Sequence, residues 1–178
     1  MAEIPSRIGD KKNKLKPRAF RRSCDARLKC PAKEGFMTST SQRVHELYHG
    51  RNWNCAGTML ACLGEAFDTP VSRQTLHTVL RMHGAGGFHG PCGLVEGALI
   101  FIGIAGTARG LSDNEVESMS FRFAEAFRTR FGSLLCQELR PGGLSRSGPP
   151  HVCESLTVEA VDFTVNFMQN DLFAQADA

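Results

Sequence analysis

From residue 40 onward, apolar residues recur every three or four positions, the period of one face of an α-helix. Ser41 to Tyr48 makes a short amphipathic stretch. Asn54 is placed to cap a helix running through Cys55, Met59, Leu60 and Leu63 to Phe67. Pro70 and Ser72 open another, with Val71, Leu76, Val79 and Leu80 as its apolar positions. The segment from His83 through Gly84, Ala85, Gly86 and Gly87 to Gly90 breaks the pattern and suits unusual backbone angles. Pro91 fits the first turn of a strongly apolar helix that ends near Gly106. Ser112 and Glu115 make a capping-box pair. After them Val116, Met119, Phe123, Phe127 and Phe131 form one stripe. Gly132 and Ser133 break that helix and can cap a short one through Glu138. Residues 141–150, rich in Gly, Pro and Ser, read as a loop. A last helix starts near Pro150, with Val152, Leu156, Ala160, Phe163 and Phe167 as its stripe. No alternating strand pattern of useful length occurs, and no internal repeat. The expectation is an all-α, single-domain bundle of about five to seven helices.

Charge divides the chain differently. Residues 1–36 hold eleven Lys or Arg against four Asp or Glu, a net of +7, whereas the remainder nets −4. The basic character therefore belongs to an N-terminal tail that lacks an apolar period and carries Pro5, Pro17 and Pro31. We expect 1–36 to be a disordered, solvated extension, or absent from the native protein if translation starts at Met37, and 37–178 to be the helical domain. A basic tail can meet nucleic acid or anionic membrane, but beyond that tail no nucleic-acid partner is expected. Arg21-Arg22 is followed by polar residues rather than the apolar run of an export signal. The most apolar stretch, Leu94 to Ala105, is too short for a membrane span and contains Glu96. The expected compartment is the cytoplasm, without a membrane partner.

Chemistry enters through seven cysteines. Cys24 and Cys30 lie in the tail. None of Cys55, Cys62, Cys92, Cys136 and Cys153 forms a C-x-x-C pair, and no C-x-x-C-H occurs, so local zinc-finger, thioredoxin-like and covalent haem motifs are absent. Position is more telling than spacing. Cys55 follows the cap Asn54, Cys92 follows Gly90-Pro91, Cys136 stands three residues after Ser133, and Cys153 three after Pro150. Each is expected in the first turn of a helix, where free N–H groups and the helix dipole favour thiolate and lower the thiol pKa. Cys62 is expected mid-helix, as core filler. The competing view is that all five are small buried hydrophobes.

These pieces, in order, are Asn52-Trp53-Asn54-Cys55-Ala56, the turn Gly84-Ala85-Gly86-Gly87, then Cys92-Gly93-Leu94-Val95-Glu96-Gly97-Ala98-Leu99, Phe131-Gly132-Ser133-Leu134-Leu135-Cys136, and Cys153. Over roughly residues 42–170 the chain resembles the redox-active protein family named for its C_GCAxxG_C_C motif. It departs from Gly-Cys-Ala-x-x-Gly at the middle piece, where Pro91 precedes Cys92, Gly93 follows it, and the next glycine is Gly97. The resemblance implies an α-helical fold and a redox or metal-linked role, without a defined reaction.

Three functions compete. In the first, Cys55, Cys92, Cys136 and Cys153 hold a metal ion or an iron–sulfur cluster for electron transfer, four thiolates being the usual complement, with His89 as a further candidate ligand. In the second, the same cysteines work as a metal-free thiol–disulfide protein. In the third, the chain is a non-catalytic helical interaction protein with buried cysteines. Glu96, one turn after Cys92, is a candidate proton relay or ligand-orienting group. His83 flanks the glycine segment as a weaker candidate, and His151, two residues before Cys153, weaker still. The redox partner and the oligomeric state have no signature in the sequence.

Overall fold

The computed structural model describes residues 39–142 and 151–173. The basic tail, with Cys24 and Cys30, and most of the 141–150 loop lie outside the described residues. The described chain is helical and contains no strand, with helices α1 (Thr40–His45), α2 (Cys55–Ala66), α3 (Arg73–Val79), α4 (Gly93–Ala108), α5 (Asp113–Phe131), α6 (Cys136–Leu139) and α7 (Glu154–Met168). The all-α expectation therefore holds.

The starts are set by the side chains the sequence offers. Ser39 and Gln42 close a reciprocal box at α1, and Ser112 and Glu115 do the same at α5. Asn54 Oδ1 accepts the Gly57 N–H at 2.9 Å, while its Nδ2 donates to the Leu80 carbonyl at 2.8 Å. That one side chain caps α2 and ties it to the end of α3. Helix α5 stops at Gly132, whose φ of 89° is left-handed. Helix α1 does not end at His45 but widens into a π-type turn, Glu46–Gly50. The sequence marks Ser41 to Tyr48 only as a short amphipathic stretch and does not show the wider turn.

Helix α4 is the central element. Leu94, Ala98, Phe101, Ile102 and Ala105 are all fully buried, as are Ala56, Met59, Leu60 and Leu63 of α2. The two helices come close because α4 shows glycine to α2. A Cβ on Gly97 would stand 2.5 Å from the Ala56 carbonyl oxygen, and one on Gly93 would run into Cys55 Sγ. On the other side, α5 and α7 share a layer of aromatic rings. Phe123, Phe127 and Phe131 meet Phe163 and Phe167, with centroids 5.4 Å apart for Phe123–Phe167 and 5.5 Å for Phe131–Phe163. The buried Tyr48 hydroxyl meets Thr157 Oγ1 at 2.6 Å, locking the π-type turn onto α7.

No helix among the described residues is long and apolar enough to cross a membrane.

Candidate functional site

Each of the four singled-out cysteines stands at a helix start. Cys55 and Cys136 are the first residues of α2 and α6, and Cys92 and Cys153 are the N-caps of α4 and α7. All are free thiols, as is Cys62. Two devices draw the starts of α2, α4 and α6 together. The α2–α4 glycine contact lays Cys55 Sγ on Gly93, the residue after Cys92. The second device is a short antiparallel bridge between Pro91 and Leu135. Across it the Cys92 N–H donates to the Leu134 carbonyl at 2.8 Å and the Cys136 N–H to the Gly90 carbonyl at 2.7 Å. The starts of α4 and α6 are thereby stitched side by side.

The electrostatics report the same proximity. Burial pushes the Cys55 thiol well up, and charge on Cys92, Cys153 or Cys136 pushes the same way. Cys92 is pushed up to about 11, first by burial and then by Cys136 and Cys153, against backbone N–H groups of Leu94 and Val95 that pull it down. Cys136 and Cys153 are raised by burial too, while the Arg140 guanidinium opposes the rise at both. Cys62 belongs elsewhere. It is pushed up to about 12 by burial, and its charged neighbours are Glu65, Arg43 and Asp162.

This corrects one expectation. Helix starts were to lower the thiol pKa values, and all four are raised. The helix amides do act on Cys92, and the Ala56 N–H acts on Cys55, but withdrawing a thiolate from water costs more than they return. Cys55 as a residue is only partly buried, yet its sulfur is enclosed against Gly93 and Ala56.

Around the thiols, the glycine segment makes a left-handed turn, His83–Gly87, with φ of 57°, 54° and 71° at Gly84, Ala85 and Gly86. Ordinary side chains resist that conformation, which is why glycine dominates the turn. Gly84 packs toward Cys136. Glu96 accepts backbone N–H groups of Gly84 and Ala85, and burial raises its carboxyl above the ordinary value despite them. Its Oε2 is buried and has no hydrogen-bond partner among the described residues, and its charge is felt at Cys136. His89, itself at φ 62°, places Nδ1 3.8 Å from Cys136 Sγ. The side chain of His83 lies outside the described residues.

A cavity of about 270 Å³ opens beside the thiols, lined by Tyr48, Trp53, Cys55, Arg140, His151 and Cys153 among others. Sequence reasoning passed over Tyr48 and Arg140, which carry no local motif, and gave little weight to His151. It also passed over His45 and His49. These converge with Glu154 into a group whose ligand atoms all lie within 4.8 Å of one another. Their four-residue spacing on a helix was the available signal.

A family model described as "Putative redox-active protein (C_GCAxxG_C_C)" matches residues 53–167. The chain belongs to this family. The match takes in all four helix-start cysteines, the left-handed glycine turn and Glu96, and leaves out α1 and its π-type turn. No curated protein and no solved structure matches the chain.

Proposed function

We propose that Cys55, Cys92, Cys136 and Cys153 act as one redox centre that exchanges electrons through an iron–sulfur or similar multinuclear metal group. What supports this reading is the packing of Cys55 Sγ on Gly93 and the bridge that sets the starts of α4 and α6 side by side, with charge on Cys92, Cys153 and Cys136 acting on the Cys55 thiol. Thiols raised by burial, with charge on Cys92, Cys153 and Cys136 adding to the rise at Cys55, are poor nucleophiles at neutral pH. The same set becomes favourable once a cation binds, because coordination removes the protons outright. Among the described residues the thiols are not grouped tightly enough to hold a single ion as they stand. A single tetrahedral ion with bonds of about 2.3 Å needs its sulfurs nearly in contact, so the donor set suits a wider group. Such a group would supply one-electron exchange at a potential set by its surroundings.

The chain's own residues fit supporting roles. The N–H groups of Leu94 and Val95 at Cys92, and of Ala56 at Cys55, would spread negative charge on sulfur. Arg140 would offset charge at Cys136 and Cys153. Glu96, raised by burial beside Cys136, can hold or release a proton as the charge on that sulfur changes. His89 can donate to Cys136 or join it as a ligand. Free thiols of this kind suit the reducing cytoplasm.

The test is anaerobic purification with iron and acid-labile sulfide analysis and a visible spectrum. We expect bound iron and a thiolate-to-metal absorption that Cys92→Ser abolishes while the helical spectrum is kept. A second reading has its own support. Cys92 is the strongest charged influence on Cys55, whose sulfur lies on Gly93. That pair could be oxidised to a disulfide with release of two electrons and two protons. Protein free of metal before and after reconstitution, yet losing two titratable thiols on mild oxidation, would favour this dithiol chemistry. Neither signal would leave the cysteines as core residues of an interaction protein.

A further inference from the structure

Where α1 and the π-type turn after it meet the start of α7, two imidazoles close on one carboxylate. His45 Nδ1 lies 2.9 Å from Glu154 Oε1, and His49 Nε2 lies 2.9 Å from Glu154 Oε2. The two rings stand 4.4 Å apart, centroid to centroid. The ligand-capable atoms all fall within 4.8 Å of one another. From these contacts we propose that His45, His49 and Glu154 form a surface site for a divalent transition-metal ion of the zinc or cobalt type, separate from the thiol centre.

The donor chemistry carries the choice of ion. Two imidazole nitrogens and a carboxylate oxygen suit zinc-like ions, and three protein ligands leave a coordination position open to water or another donor. The sequence supports it as well. His45-Glu46-Leu47-Tyr48-His49 has the H-E-x-x-H spacing that sets two histidines on one helical face for zinc. The third donor arrives from more than a hundred residues away, through the packing of α1 on α7. The wider turn begins between the two histidines, and such π-type turns gather at functional sites. A supporting layer is present too. His151, held at φ 61°, sets its ring edge-on to His49 at 5.2 Å and stacks on Tyr48 at 4.8 Å, while its Nε2 meets Asn52 Oδ1 at 3.1 Å. These contacts fix the His49 ring, as outer contacts do for metal-bound imidazoles. Glu46 is paired with Arg43 at 3.0 Å rather than turned to the site, so the proposal is metal binding and not hydrolysis.

The site does not depend on the thiol reading, and the test keeps them apart. The full reduced chain is titrated with Co²⁺, followed by visible absorption and by NMR of the histidine rings. Imidazole–carboxylate ligation gives cobalt bands without thiolate-to-cobalt charge transfer, and paramagnetic broadening picks out His45 and His49. We expect the broadening of His45 and His49 in the native chain, whatever thiolate bands accompany it, and in Cys92→Ser. We expect it to be lost in the double variant His45→Gln, His49→Gln, and weakened in Glu154→Gln. Both histidines are exposed, with side chains 64% and 44% accessible, so the helical spectrum should not change. Cobalt uptake that carries only thiolate bands, or ring broadening that survives in the double variant, would overturn the site. So would saturating cobalt that leaves both rings sharp.

Discussion

The thiol end of the molecule and its phenylalanine layer hold together in different ways. Between α5 and α7, each ring's place follows from a repeat of three or four residues on its own helix, and the two stripes need only face each other. At the thiol end, the starts of α2, α4 and α6, from three parts of the chain, meet through two glycines, one left-handed turn and an antiparallel bridge. The first region rests on apolar area, which is forgiving of small shifts. The second rests on close backbone approach, which is not. Stability and chemistry should therefore answer to different mutations.

The largest effect is expected in the ring layer. Phe127 is fully buried, and Phe127→Ala should cost about 3–5 kcal/mol in denaturant unfolding, the usual range for such truncations. The thiol chemistry of the fraction that remains folded should be unaltered. A variant that loses both together would show the two regions to be one unit.

Next in size is an alkaline loss of stability that comes mainly from the thiol end, with a share from Cys62. In the metal-free reduced chain burial pushes Cys92 up to about 11 and raises Cys55 further. Unfolded thiols ionise near pH 8.5. Below that value both states hold their protons and stability is full. Above it the unfolded state binds fewer protons, so stability falls as pH rises towards about 11. Each unit between the two values is worth about 1.4 kcal/mol at most. Urea midpoints across an alkaline series read this directly. A flat profile from neutral to pH 10 would mean that the thiols are not buried as described.

Gly97→Ala probes the close approach itself. Its new Cβ would meet the Ala56 carbonyl, a backbone atom that cannot swing aside. Overpacking of this kind costs about 1–3 kcal/mol, against at most about 1 kcal/mol gained in helix propensity. We expect a net loss of stability together with a changed reactivity at Cys55. Increased stability would show that α2 and α4 have slack between them.

The smallest change separates Cys62 from the four helix-start cysteines. Cys62→Ala should cost about 1 kcal/mol through packing alone and leave metal content, redox titration and most of the alkaline fall intact. Alkylation of the reduced, metal-free chain should label Cys92 at lower pH than Cys62, since their values are pushed up to about 11 and about 12 respectively. Reversed order would move Cys62 into the chemistry.

By itself the sequence determined the helices. Asn54, Ser72, Ser112 and Gly132 act within a turn of their own position, so caps and breaks could be read from neighbours along the chain. The same local logic put Cys55, Cys92, Cys136 and Cys153 at helix starts, and marked the glycine segment as a place of unusual angles. Only the tertiary structure decided how these starts act on one another. Thiol pKa values depend on how much water the fold removes, and that burial outweighs the helix amides which the local pattern foretold. It also decided which distant groups share a site. Arg140 reaches Cys136 and Cys153, Tyr48 reaches Thr157, and Glu154 closes on His45 and His49. Periodicity within one helix holds no information about the face of another, so contacts over a hundred residues of chain become visible only once the helices have packed.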